Sequence, residues 1–314
     1  TLDESARQAG SDANQLGAAK VIQRLGRLPS LVWLCAAAAV APAPGLGQLP
    51  HIVLGTGEPT IVVLHGGPGV THDYLRPEWD RLAKVARVVY YDQRGCGSGS
   101  AEAGPMTWKN HVADLRMLID EVSPEGVVLA GSSWGSSLAL LFSMEYPDLV
   151  QALVLSGLPA WPTLGRGDSS VPPRLEARLD SLERGLTVGP WPQPETLGQG
   201  DDLWATAADD RVTERIVACP ETGGATFRSL STVPSVAAIG EISAPALVFQ
   251  GLEGRGRYEW GGQLSRYLPR ARHIVVRGAA HDPWASQPDA FFRKVSQFLE
   301  ELQLIGVNST GSGM

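Results

Sequence analysis

The stretch 126-GVVLAGSSWGSSLALLFSMEYP-147 decides the fold. Its first six residues read as a short apolar strand and its last twelve as a helix. Between them stands 131-GSSWG-135, a G-x-S-x-G sequence that leaves no room for a loop. The chain must turn sharply from strand to helix, and the glycines around the serine permit that turn. Its central residue, Ser133, projects its hydroxyl at the helix amino terminus and is the candidate nucleophile. Ser132 fails the glycine spacing. A Gly/Ser-rich turn with an ordinary N-cap is the bland alternative, and the flanking strand and helix argue against it.

Working outward, short β-branched runs recur at 60-TIVVLH-65, 87-RVVYYD-92, 152-ALVLSG-157, 246-ALVFQG-251 and 272-RHIVVRG-278. Helical periods lie between them: 107-TWKNHVADLRMLIDEV-122, and 288-PDAFFRKVSQFLEEL-302 with Phe291, Val295 and Leu299 on one stripe. Continuous apolar strands alternating with helices predict an α/β fold, a mostly parallel sheet with helices on both faces. The rhythm breaks between Leu158 and Ala244, a segment rich in Pro, Gly and Trp with no convincing strand and one amphipathic helix, 173-PRLEARLDSLERGL-186. It reads as a helical lid inserted over the sheet's carboxyl edge, where open α/β sheets bind ligands. The expected organisation is an extension at 1–47, a core at 48–157 and 245–305, a cap at 158–244 and a flexible tail at 306–314.

Composition excludes several classes. A net charge of −7 with only four lysines argues against nucleic acid, because phosphate-tracking surfaces need clustered cations. Three cysteines (Cys35, Cys96, Cys219) are too few and too scattered for a disulfide framework or a structural zinc site; Cys96 with Cys219 is the conceivable pair, and it is expected to stay unpaired. Lys20, Arg24 and Arg27 precede 31-LVWLCAAAAVA-41, an apolar run too short to span a bilayer but of signal-peptide length. Export to a secreted or periplasmic location is therefore expected, with a retained amino-terminal helix and a cytoplasmic location as the alternative. No integral membrane span is expected.

A serine nucleophile needs donors for the oxyanion that forms on the attacked carbonyl. The sequence 65-HGGPG-69 follows a strand and exposes backbone N–H groups, so the expected donors are the N–H of Trp134 and that of Gly67 or Gly66. For the general base, His281 lies in 278-GAAHDPW-284 just after the last expected strand, at the same sheet edge as Ser133. His65 and His72 sit by the oxyanion loop, His111 on a helix, and His51 and His273 on or beside strands.

With HGGPG at 65 to 69, 92-DQRGCGSGS-100, and 132-SSWGSSLAL-140 followed by 144-MEYPDLV-150, the chain resembles the α/β-hydrolase superfamily over roughly residues 50 to 303, and within it the proline iminopeptidase-like peptidases. The resemblance implies an inserted cap and release of amino-terminal residues, often proline, from small peptides; related proteins are esterases or amidases. It also implies a reduced, structural Cys96, and a triad acid three residues after the glycine that ends the strand at 246 to 251. That position is Gly254. Glu253, one place early, is the candidate acid if the loop is re-registered; Glu259 is more distant, and a dyad without any acid is the further alternative.

An aminopeptidase also needs a carboxylate to pair with the substrate ammonium. Asp209, Asp210, Glu214 and Glu221 are available, Glu221 in 219-CPETGG-224 loosely resembling an acidic lid motif, while Trp161, Trp191 and Trp204 are candidates to line an apolar pocket. Zinc, flavin and nicotinamide motifs are missing from the sequence, so no metal or cofactor is expected. The leading expectation is a serine hydrolase with a Ser-His-acid mechanism, a proline iminopeptidase-like aminopeptidase acting on small peptides; its partner is a short-peptide or other small-molecule substrate. A carboxylesterase or lactonase is the alternative within the enzyme class, favoured if the lid carboxylates face solvent. A hydrolase-fold binding protein with a decayed triad is the alternative outside it.

Overall fold

The computed structural model describes residues 49–99, 104–159, 161, 194–234, 236–253 and 260–304. The extension with its signal-like run, the helix expected at 173–186, Trp191, Gly254, Glu259 and the tail at 306–314 lie outside the described residues. Eight strands form one sheet: β1 (His51–Leu54), β2 (Thr60–Leu64), β3 (Arg87–Tyr91), β4 (Val127–Ser132), β5 (Val150–Ser156), β6 (Glu195–Leu197), β7 (Ala246–Gly251) and β8 (Ala271–Val276). Their spatial order is β1-β3-β2-β4-β5-β7-β8-β6. Only β1 runs antiparallel, pairing with β3; every other pairing is parallel.

The parallel order follows from the residues. Every residue of β2 and β4 is buried, so these strands need cover on both faces, which crossover helices supply. Alternation then sorts the side chains. Val62, Leu64 and Val89 face a core built with α1 (Trp108–Val122) and α2 (Trp134–Glu145). Ile61, Val63 and Val88 face a second core. There they meet Trp79, from a 3₁₀ segment at Trp79–Lys84, and Phe291, Val295 and Leu299, all on the late helix Pro288–Glu301. Helix α1 starts where expected because the Thr107 side chain accepts the Asn110 N–H.

Two strands were not expected. β1 is only four residues long, and its apolar Ile52 and Val53 are exposed, so it shows no strand-length buried pattern. β6 lies inside the segment expected to hold no strand: Glu195, Thr196 and Leu197 pair with Ile274, Val275 and Val276 at the sheet edge. Three half-exposed residues leave no periodic signal, and the edge of β8 selects them. The same segment contributes α3 (Asp202–Thr213) and α4 (Pro220–Ser229). The short helices α5 (Gly261–Leu264) and α6 (Pro283–Ser286) precede the late helix, which is α7.

Cys96 is not reduced. It forms a disulfide with Cys219 across a sequence separation of 123 residues. The pairing joins the loop after β3 to the residue that caps α4, and the isolated spacings of the two cysteines could not announce it. Among the described residues no helix is long and apolar enough to cross a membrane.

Candidate active site

The parallel strands end at one edge, and HGGPG, DQRGCG, GSSWG and the His281 loop follow β2, β3, β4 and β8 there. Ser133 sits between β4 and α2 with φ 54° and ψ −122°, in the left-handed half of φ space that non-glycine residues avoid. Such a residue costs about 1–3 kcal/mol and persists only where its surroundings over-determine it. Here they do. The Ser133 N–H donates to the Ser156 carbonyl at 2.8 Å, and the Ser136 hydroxyl donates to the carbonyls of Gly131 and Ser156 at 2.8 and 2.9 Å. A Cβ at Gly131 would lie 2.5 Å from the Gly135 backbone, and one at Gly135 would strike the Leu64 carbonyl oxygen. Both glycines of the motif are therefore dictated by close backbone approach. Ser132 is fully buried: its hydroxyl accepts the Trp284 indole N–H and reaches the Asp282 carboxylate at 3.4 Å.

The HGGPG loop lies against the elbow. The Gly66 N–H donates to the Tyr74 hydroxyl at 2.7 Å, which commits that donor and leaves Gly67 as the loop's candidate for an oxyanion. Gly67 and Trp134 line one cavity with Ser133. The start of the HGGPG loop and the Trp134 side chain are linked through Gln93, which is buried. The Gln93 backbone N–H donates to His65 Nε2 at 2.9 Å, its side-chain amide to the His65 carbonyl at 2.9 Å, and its side-chain carbonyl accepts the Trp134 indole N–H at 2.7 Å.

The remaining residues of 92-DQRGCGSGS-100 hold this bridge in place. Asp92 accepts from the His72 backbone, from the His72 ring at 2.7 Å, and from the Ser98 backbone and hydroxyl. Burial works to raise its carboxyl, but those hydrogen bonds outweigh it and hold Asp92 well below the usual carboxylate range. Arg94 forms a buried two-pronged pair with Asp114 of α1. Gly95, at φ 80°, lets Thr222 and Met106 approach, and Cys96 carries the disulfide to α4. The motif was visible in the sequence; that Gln93 joins His65, at the head of the HGGPG loop, to the Trp134 side chain was not.

His281 reaches the same edge from the loop after β8. A Cβ at Gly157, just beyond β5, would lie 2.7 Å from the His281 carbonyl oxygen and 3.2 Å from ring carbon Cε1, so the absence of a side chain there admits the histidine. A Cβ at Gly251 would strike the Ala280 carbonyl oxygen, and the Glu253 N–H donates to the Ala279 carbonyl at 2.9 Å. Thus Ser133, His281 and Glu253 stand at the carboxyl ends of β4, β8 and β7, with Glu253 hydrogen-bonded to the backbone two residues before the histidine. Gly254 and Glu259 lie outside the described residues.

The cavity beside Ser133 has a volume of about 130 Å³ and an apolar lining that includes Leu141, Trp161, Leu230 and Val233, with Phe227 of α4 at its mouth. None of the other described lid candidates is among its described lining residues. Glu221 is exposed and borders a separate groove with Gly95 and Met106; Glu214 and Asp210 are exposed on and just after α3. Trp204 is 55% exposed, and its indole N–H donates to the Ser286 carbonyl. Asp209 is buried against the histidine loop.

The chain matches the family described as alpha/beta hydrolase fold over residues 59–182. It is 39% identical over 102 residues to the proline iminopeptidase of Lactobacillus acidophilus, 31% of this chain and 34% of that protein, so it spans about a third of the length of the curated relatives it matches. Among solved structures, an esterase from Thermogutta terrifontis superposes with a TM-score of 0.60 at 23% identity, covering 81% of this chain and 93% of that one. The proline iminopeptidase of Mycobacterium smegmatis does so with 0.54 at 21%, covering 81% and 95%. At those identities the superpositions show the fold alone. The chain is a protein of the α/β-hydrolase fold, with partial sequence similarity to proline iminopeptidases across about a hundred residues.

Proposed function

We propose that this protein is a serine hydrolase that cleaves esters or amides of apolar, uncharged acyl groups. The carrying observation is the cavity at Ser133: its described lining is apolar, and the carboxylates that would hold an ammonium, Glu214 and Glu221, are exposed and do not line it. A charged amine placed there would lose water without gaining a charged partner among the described lining residues.

In this reading Ser133 Oγ attacks the carbonyl carbon while His281 takes its proton. The N–H groups of Gly67 and Trp134 hold the oxyanion, and such a donor accounts for roughly 10²–10³ in rate. His281 then protonates the leaving alcohol or amine, an acyl-serine remains, and water attacks it by the same route in reverse. In this reading Glu253 is the acid that orients His281, and the bond from its backbone N–H to the Ala279 carbonyl, close to the histidine in the chain, supports that role.

A second reading, an iminopeptidase, is favoured by the 39% identity over 102 residues to the Lactobacillus acidophilus protein. A paired assay separates them: nitrophenol release from short acyl esters against nitroaniline release from a prolyl anilide, each with Ser133→Ala as control. Ester turnover lost in the mutant supports the first reading, and anilide turnover lost in the mutant moves the protein to the second. An unaltered mutant sinks both, and turnover of neither by the wild type returns the chain to the binding-protein alternative. The disulfide and the signal-like run at 31 to 41 together support an oxidising, exported location.

A further inference from the structure

We propose that Asp209 is a positioning residue that holds the His281 loop in its working place; this rests on the reading of His281 as the general base. Asp209 lies on α3 and is buried. A buried carboxylate requires donors, and among those it meets are two consecutive backbone amides: the His281 N–H donates to Oδ2 at 3.3 Å and the Asp282 N–H to Oδ1 at 3.4 Å. Both oxygens thus address the segment that carries the base.

Two further contacts give the arrangement its purpose. The His281 carbonyl and the ring atoms Cε1 and Nδ1 lie against Gly157. The histidine is thus packed on Gly157 and anchored through its backbone by Asp209. Five residues before Asp209 on the same helix, the Trp204 indole N–H donates to the Ser286 carbonyl at 3.1 Å, so α3 grips residues 281 to 286 at both ends. A carboxylate in the segment between β5 and β7, a candidate for the substrate's ammonium by sequence, instead couples that segment to the base. Neighbouring Asp210 is exposed and serves as the internal control.

The test compares the full-length wild type with Asp209→Ala, Asp209→Asn and Asp210→Ala on nitrophenyl butyrate, alongside the backbone amide shifts of residues 281 and 282 by NMR. Misplacing a reacting group by about 1 Å costs up to ~100-fold. The expected result is a fall in kcat of about tenfold or more for Asp209→Ala and a smaller fall for Asp209→Asn, which keeps one acceptor. KM should stay within about twofold. Wild-type kcat in Asp209→Ala, a loss confined to KM, or an equal loss in Asp210→Ala overturns the proposal. If Asp209→Ala does not fold, Asp209→Asn is judged by the same rule. Should the wild type turn over no ester, the functional reading is what fails, and the NMR arm decides alone: amide shifts at 281 and 282 that move in the Asp209 variants support the anchor, and unmoved shifts remove it.

Discussion

The Trp134 indole N–H donates to the Gln93 side-chain carbonyl at 2.7 Å, and the same side chain donates to the His65 carbonyl at 2.9 Å. One buried amide therefore spans the residue after the candidate nucleophile and the loop that supplies the second oxyanion donor. Gln93→Leu removes both contacts and leaves two buried polar groups unpaired, at about 1–3 kcal/mol each. The expected outcome is a lower denaturant midpoint with kcat reduced about tenfold or more and KM little changed. Unchanged kcat in a folded Gln93→Leu protein would refute the coupling.

Gly135→Ala places a methyl group on the Leu64 carbonyl oxygen, 2.6 Å from Leu64 C and 2.8 Å from His65 O. These are backbone atoms of the adjacent strand and cannot rotate away. Overpacking of this kind costs ~1–3 kcal/mol, and the upper end is expected here. Urea unfolding at wild-type midpoint would show that the elbow relaxes more freely than its contacts imply.

The disulfide closes a loop of 123 residues. Chain entropy for a loop of that size predicts a contribution near 5 kcal/mol, and measured values are commonly about 2–4. Cys219→Ser, or reduction, should therefore lower the melting temperature and loosen α4, which carries the cavity residue Phe227. Thiol titration in denaturant should find two more reactive cysteines after reduction than before it. An equal count before and after would contradict the pairing.

Stability should fall on acidification. His65 Nε2 accepts the Gln93 N–H and so must be unprotonated, and burial lowers its pKa from 6.5 to about 4. Burial, aided by the charges of Arg94 and His65, lowers His111 to about 3. Below pH 6.5 the unfolded chain takes up protons that the folded one refuses, so this stability is present above pH 6.5 and drains away towards pH 4 and pH 3. Each histidine should account for roughly 2 kcal/mol between pH 7 and pH 5. Asp114, whose carboxyl burial raises, works in the opposite sense near its own lower range. Denaturant midpoints at the two pH values check the sign, and a higher midpoint at pH 5 would contradict it.

The core was legible because its signals are local. A fully buried strand must be apolar along its whole length, so β2 and β4 announced themselves. A nucleophile elbow must have glycine where backbones touch, which is why Gly131 and Gly135 could be read before their contacts were seen. The order of motifs then placed Ser133 and His281 at one edge, since parallel strands all end on the same side. What could not be read is what depends on meetings between distant segments. Three partly exposed residues became β6 only because β8 offered an edge. Gly66 lost its candidacy as a donor because Tyr74 lies within reach, Cys96 found Cys219 in another segment, and Asp209 met the amides of His281 and Asp282. Sequence alone determined the nucleophile's turn and the layers around the sheet, because backbone sterics and apolar periodicity are written residue by residue. The choice among polar partners waited for the tertiary structure, because a hydrogen bond is decided by a few tenths of an ångström between groups the chain order leaves far apart.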